Sequence, residues 1–160
     1  MEQFVVDSMN GKLAKKLRFF GFNTVYHKQI SNNEIIKIAR EENRIILTSN
    51  YELVKLGISK NIGIIRTESE SDLDNITEIG KLLNWKLLDE SKFSTRCTIC
   101  NNKLTKVKKD KLKKIIPKNT FQRFFEYFSC SNCSKIYWKG NHWNNMKKIA
   151  HAVNGKLKKN

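Results

Sequence analysis

Apolar positions in the first half of the chain follow two alternating rhythms. Phe4-Val5-Val6 and Ile45-Ile46-Leu47 are short unbroken runs that predict strands, and the continuous apolar character of the second predicts burial on both faces. Stretches with a period near 3.6 residues come between them. Over residues 11–20, Leu13, Leu17 and Phe20 share one helical face, Lys12, Lys15, Lys16 and Arg18 take the other, and Gly21 ends the helix. Residues 24–26 predict a second strand. Ser31 and Glu34 stand at capping-box spacing, and Ile35, Ile36, Ile38 and Ala39 continue as a helix that stops at Asn43. A short helix over 51–56 closing at Gly57 and a fourth strand over 62–65 follow. A helix over 71–83 then turns Leu73, Ile76, Ile79, Leu82 and Leu83 inward, and residues 85–88 run out toward a linker. Four rounds of strand and helix predict an α/β fold, a parallel sheet flanked by helices.

Charge divides the chain more sharply than hydrophobicity does. Residues 1–91 carry 13 Lys and Arg against 13 Asp and Glu, whereas residues 92–160 carry 18 against 2, Asp110 and Glu126. The whole net charge of +16 therefore lies in the second segment. Two domains are expected, an α/β domain over 1–91 and a small basic domain over 92–160. Segregation this complete points to a polyanion held by one end of the molecule, with nucleic acid favoured over an anionic membrane surface or an acidic protein. No apolar run approaches the roughly 20 residues of a membrane span. The chain opens without a basic segment or long apolar stretch, which predicts a cytoplasmic protein.

Within the basic segment, Cys97-Thr98-Ile99-Cys100 and Cys130-Ser131-Asn132-Cys133 form two Cys-x-x-Cys pairs separated by 29 residues. Each pair puts two thiolates on one tight turn, and two facing turns supply the tetrahedral sulfur shell of a structural zinc, so Cys97, Cys100, Cys130 and Cys133 predict a zinc ribbon. Two disulfides or four unrelated thiols are the alternatives, disfavoured because nothing marks the chain as secreted. The insertion between the pairs holds Lys106, Lys108, Lys109, Lys111, Lys113 and Lys114, which suit phosphate contacts; a solvated helix face is the competing reading. Phe121, Phe124, Phe125 and Phe128 follow at helical spacing and are expected to pack as core. With the zinc shell filled by cysteine, His142 falls to RNA contact or packing, beside Trp143, Lys135, Lys139, Lys147 and Lys148. Residues 156–160 predict a basic tail.

In a parallel sheet, ligands bind outside the carboxyl ends of the strands. Asp7 directly follows the first strand, Thr48-Ser49-Asn50 the third, and Glu34 opens the helix after the second. Together they make a candidate divalent-cation site, since carboxylates can hold magnesium or manganese and activate water against a phosphodiester. Each residue has an ordinary alternative, Asp7 as a helix cap and Glu34 as part of its capping box.

Residues 4–18, 34–42 and 44–50, together with Arg96-Cys97, Cys100-Asn101, the second cysteine pair and Tyr137-Trp138-x-Gly140-x-His142-Trp143 with Met146, resemble the PIN-like ribonuclease domain named after the C-terminal part of the Mut-seven exonuclease. The similarity covers nearly the whole chain. It implies a PIN-like α/β fold, a trailing zinc ribbon, a small acidic site for magnesium or manganese, and RNA as substrate. The family generally carries an aspartate in a Thr-Arg-Asp pattern where this chain has Thr48-Ser49-Asn50, and often acids where it has Ser31-Asn32-Asn33. An amide keeps the oxygen ligand and loses the charge on which magnesium depends. Glu68, Glu70 and Asp72 are the remaining nearby acids. Three classes follow: an RNA-binding component of a ribonucleoprotein such as the ribosome, with a degraded acidic site; a metal-dependent endoribonuclease; and a transcription-associated zinc ribbon. RNA is preferred over DNA through the resemblance alone.

Overall fold

A computed structural model describes residues 2–158. Strands β1 (Gln3–Val6), β2 (Asn23–Tyr26), β3 (Ile45–Thr48) and β4 (Ile64–Arg66) form a parallel sheet in the order β2-β1-β3-β4. Helices α1 (Gly11–Phe19), α2 (Asn32–Glu41), α3 (Tyr51–Ser59) and α4 (Asp72–Leu82) connect and follow them. Alternation along β1 and β3 assigns the two faces. Phe4, Val6 and Leu47 join Leu13, Leu17, Ile76 and Ile79 of α1 and α4, while Val5 and Ile46 meet Ile35, Ile36 and Leu53 of α2 and α3. Both faces of β3 are covered, as its unbroken apolar run predicts.

The small sheet is antiparallel, with β6 (Tyr127–Cys130) between β5 (Leu104–Val107) and β7 (Ile136–Trp138). A short helix, α5 (Lys118–Arg123), precedes β6, and the 17-residue α6 (Asn141–Leu157) follows β7. The change of charge at Ser91 does not interrupt the packing. Met146, Ala150 and Val153 of α6 are buried in the same cluster as Phe4, Leu17 and Ile79. The ribbon is thus an excursion between two helices that both belong to the first core.

Several local expectations give way to packing. The helix around Gly57 continues to Ser59, because the missing side chain lets Ile64 come close; a Cβ there would stand 2.9 Å from Ile64 Cδ1. The fourth strand accordingly begins at Ile64. Leu82, expected inward, is 57% exposed at the last residue of α4. Within residues 85–88, Trp85 and Leu88 join the core, Trp85 stacking on Phe22 at 4.4 Å and Leu88 buried, while Lys86 and Leu87 are exposed. Lys156 and Leu157 are helical, with Leu157 packed on the main cluster, so the predicted tail is part of α6; Lys159 and Asn160 lie outside the described residues. The phenylalanine run is no single helix. α5 ends at Arg123, Phe128 lies in β6, Phe121 and Phe124 pack around Tyr127, and Phe125 is 77% exposed.

Candidate metal centre and nucleic-acid interface

The two cysteine turns face one another. Among the described residues, the only group of three or more His, Cys, Asp or Glu side chains close enough to share an ion is Cys97, Cys100, Cys130 and Cys133, with all four sulfurs within 4.8 Å of one another. Cys97 and Cys133 sulfurs are 3.5 Å apart and Cys100 and Cys130 sulfurs 3.3 Å, and all four are free thiols. Zinc–sulfur bonds of about 2.3 Å in a tetrahedron put sulfurs about 3.8 Å apart, so the set fits a structural zinc. Zinc would clamp β6 to the loop ahead of β5.

The thiols do not ionise alike. At Cys100, burial pushes the pKa up, but hydrogen bonds from the Asn132 side chain and the Asn102 backbone more than offset it and hold the thiol at about 6. At Cys133 the Lys135 backbone favours the thiolate, yet burial and the three neighbouring sulfurs push it up to about 12. Four adjacent sulfurs could all ionise only with a cation among them.

Arg18 joins this centre to the parallel sheet, contrary to its expected place on the polar face of α1. It is 3% exposed. Its Nε donates to the Thr24 carbonyl at 2.8 Å, and its Nη1 donates to the carbonyls of Ile99 at 2.7 Å and Thr98 at 3.2 Å, inside the first cysteine turn. Burial lowers its pKa, and the Cys100 and Cys97 sulfurs offset part of that, so the guanidinium stands where a zinc site of four thiolates would carry excess negative charge. Asn101 adds a second tie. In the left-handed region at φ 68°, it accepts from Thr24 N–H and donates to Asn23 Oδ1. A lone Arg in a Lys-rich helix gives no periodic signal for burial.

At the carboxyl end of the large sheet, Asp7 is 4% exposed and fully engaged. Its Oδ1 accepts from Met9 N–H, Asn10 N–H and the Asn10 side chain, at 3.1, 3.2 and 2.8 Å. Its Oδ2 accepts from the Thr48 hydroxyl and from Ser49 N–H. Asp7 therefore caps the short 3-10 turn Ser8–Asn10 and ties β1 to β3. Asn50 caps α3 by accepting from Glu52 N–H at 2.9 Å and Leu53 N–H at 3.3 Å. Glu34 is exposed in a complete capping box, and hydrogen bonds from the Ser31 side chain hold its carboxyl below the usual range. Of the other acids, Glu68 pairs with Arg66 at 2.9 Å and Asp72 with Lys16 at 2.5 Å. The structure thus brings Asp7 together with Thr48 and Ser49, and gives Glu34 and Asn50 separate capping partners.

The predicted RNA contacts form two groups. Lys108, Lys111, Lys113 and Lys114 are exposed along the insertion, with no ion-pair partner among the described residues. Lys109 lies over the rings of Phe125 at 4.2 Å and Phe121 at 4.7 Å, while Lys106 pairs with Glu126 at 2.7 Å. Around α6, Lys139 and Lys147 lie over the Trp143 ring at 5.6 and 5.7 Å; Lys139 is also 3.7 Å from Glu126, and Lys147 is 2.9 Å from Glu90. Lys135 and Lys148 are exposed, and so is His142, whose ring meets Phe19 edge-on at 6.5 Å. Trp143 packs on Phe19 and the main cluster, with its indole N–H buried and unpartnered among the described residues, so it belongs with the core rather than to an open stacking platform.

No curated protein and no solved structure matches the chain. A family model does, over a span that takes in both the parallel sheet and the four cysteines: residues 2–150 match the Mut7-C RNAse domain, and the chain belongs to that family.

Proposed function

We propose that this protein is an RNA-binding zinc-ribbon protein whose PIN-like half serves as a scaffold, a component or factor of a ribonucleoprotein such as the ribosome. Family membership supports the link to RNA. The division between binding and hydrolysis rests on Asp7: it is a single carboxylate, accepts from both neighbouring turns, and has an amide, Asn50, where the family's second acid is expected. Two-metal or single-metal hydrolysis needs charge concentrated at the cation, and a lone capped aspartate supplies little. The excess of cations in the second half would also hold product tightly, which suits a resident of an RNA particle better than an enzyme that turns over.

The deciding experiment compares the wild-type protein and Asp7→Asn, both zinc-loaded, for RNA cleavage with magnesium or manganese and for RNA affinity. Retained affinity with no Asp7-dependent cleavage is the expected result. Cleavage lost on Asp7→Asn would establish the endoribonuclease instead.

A further inference from the structure

Three cavities meet at His142, and together they cross the seam between the two halves. The largest, about 500 Å³, opens among Phe124, Tyr137, Trp138, Arg123 and Lys135 on the ribbon. A neck of about 40 Å³ passes Trp138 and Phe19. A third space of about 300 Å³ lies between α6 and the first two turns of α1, bordered by Lys12, Lys15 and Lys16. Thr98 and His142 border all three. The groove therefore runs from the ribbon toward the start of α1, one turn beyond the cap made by Asp7.

Its two ends offer different chemistry. The ribbon end is an aromatic slot with cations at its rim. Arg123 lies 5.7 Å over the Phe124 ring and Lys135 5.8 Å over the Tyr137 ring. Tyr137 is fixed in place because its hydroxyl lies 3.1 Å from the Cys97 sulfur and accepts from Thr98 N–H, so its ring cannot swing to close the slot. The volume lies within the roughly 300–1,000 Å³ of cavities that enclose small ligands. The α1 end is cationic: Lys12 and Lys15 are exposed and have no ion-pair partner among the described residues, although the segment they belong to is electroneutral overall.

Resting on the RNA-binding reading above, we propose that this groove is the path of a single RNA strand. One unpaired base enters the slot formed by Phe124, Tyr137 and Trp138, and flanking phosphates lie on Arg123 and Lys135 at one side and on Lys12 and Lys15 at the other. An aromatic slot accepts any base through its π-face, and spaced cations follow a backbone, the combination by which proteins hold single strands without reading sequence. A duplex keeps its bases stacked and cannot fill the slot. His142, exposed at the junction, is placed to meet the backbone as it passes from one half to the other.

The test uses the zinc-loaded full chain with a fluorescein-labelled 12-nucleotide oligouridylate and a blunt RNA duplex of equal total charge, titrated at several salt concentrations. The expected result is tighter binding of the single strand. Trp138→Ala should weaken it about tenfold while leaving duplex affinity unchanged. Lys12→Gln with Lys15→Gln should lower the salt slope by about 1.4. Both lysines are exposed, so this variant reads the path even if Trp138→Ala releases zinc. Unchanged single-strand binding in the lysine variant, with affinity lost on neutralising Lys108, Lys111, Lys113 and Lys114, would overturn the groove and leave the RNA-binding reading standing. Equal affinity for duplex would overturn it too. A wild-type protein that binds neither RNA would remove the reading on which it rests.

Discussion

The parallel sheet buries side chains in layers on both of its faces, whereas the ribbon has a cluster of its own with only Leu112, Ile116 and Tyr127 buried. The first half carries balanced charge and the second nearly all cations. Apolar burial holds the sheet together, and its surface is free to be neutral. The ribbon has too little apolar surface for that and must spread its lysines over a small body, so like-charge repulsion works against its compactness. Zinc held by the cysteine set would offset that repulsion, since structural zinc adds folding free energy directly. A metal-stapled element could therefore carry a density of lysines that an apolar core of its size could not.

Removing the staple tests this contrast most severely. Cys130→Ser should abolish zinc retention, a loss on the order of 10 kcal/mol of metal-linked folding energy, and melt β5, β6 and β7 while the parallel sheet keeps its secondary structure. Zinc content and circular dichroism measured together report both effects, and a native ribbon without metal would remove the distinction between the halves. Next in size is the tie between them. Arg18→Met leaves the Thr24, Thr98 and Ile99 carbonyls without their donor and should cost about 3 kcal/mol in denaturant unfolding of the zinc-bound protein. A change below about 0.5 kcal/mol would mean that α6 and the Asn101 tie join the halves without help from Arg18.

Asp7→Asn turns an amide N–H₂ toward groups that already donate, so a loss of about 1–3 kcal/mol in stability is expected with RNA affinity unchanged. Neutralising Lys108, Lys111, Lys113 and Lys114 should leave the melting temperature unchanged and flatten the logarithmic salt dependence of single-strand RNA binding by up to about 3. An unaltered slope would place the phosphates elsewhere. The smallest effect belongs to Glu90, whose carboxyl is held below its ordinary range by hydrogen bonds from His151 and Lys147. Because the folded pKa is depressed, its contribution is present above the unfolded value and is lost as pH falls through the folded one. Glu90→Gln should lower stability slightly and evenly across the neutral range, with the difference from wild type vanishing as pH falls through the folded pKa.

Elements with a strong period or an unbroken apolar run were legible in the sequence: β1, β3, the capping box of α2 and the amphipathic α4 stand within a few residues of their predicted places. The cysteine spacing was equally direct, because ligand geometry leaves few alternatives. Long-range packing was less legible. Arg18 stands at a position that helical periodicity assigns to solvent, and only the cysteine turn 80 residues away explains its burial. The phenylalanines after Pro117 have helical spacing by coincidence, and the chain turns into β6 because Cys130 must face Cys97 and Cys100. Asp7, Glu34 and Asn50 each satisfy a local capping rule, and those caps are what the structure displays.

Chain order gives α6 a further consequence. Its buried face, Met146, Ala150 and Val153, completes a core whose other members are nearly all made before the first cysteine turn. During synthesis, the sheet must wait with that surface uncovered while the ribbon emerges and points the remaining chain back toward α4, a step that zinc at the four cysteines would fix. Zinc starvation would thus strand the nascent protein at the step before closure, with an apolar patch exposed to chaperones and proteases, although no ligand of the metal belongs to that patch.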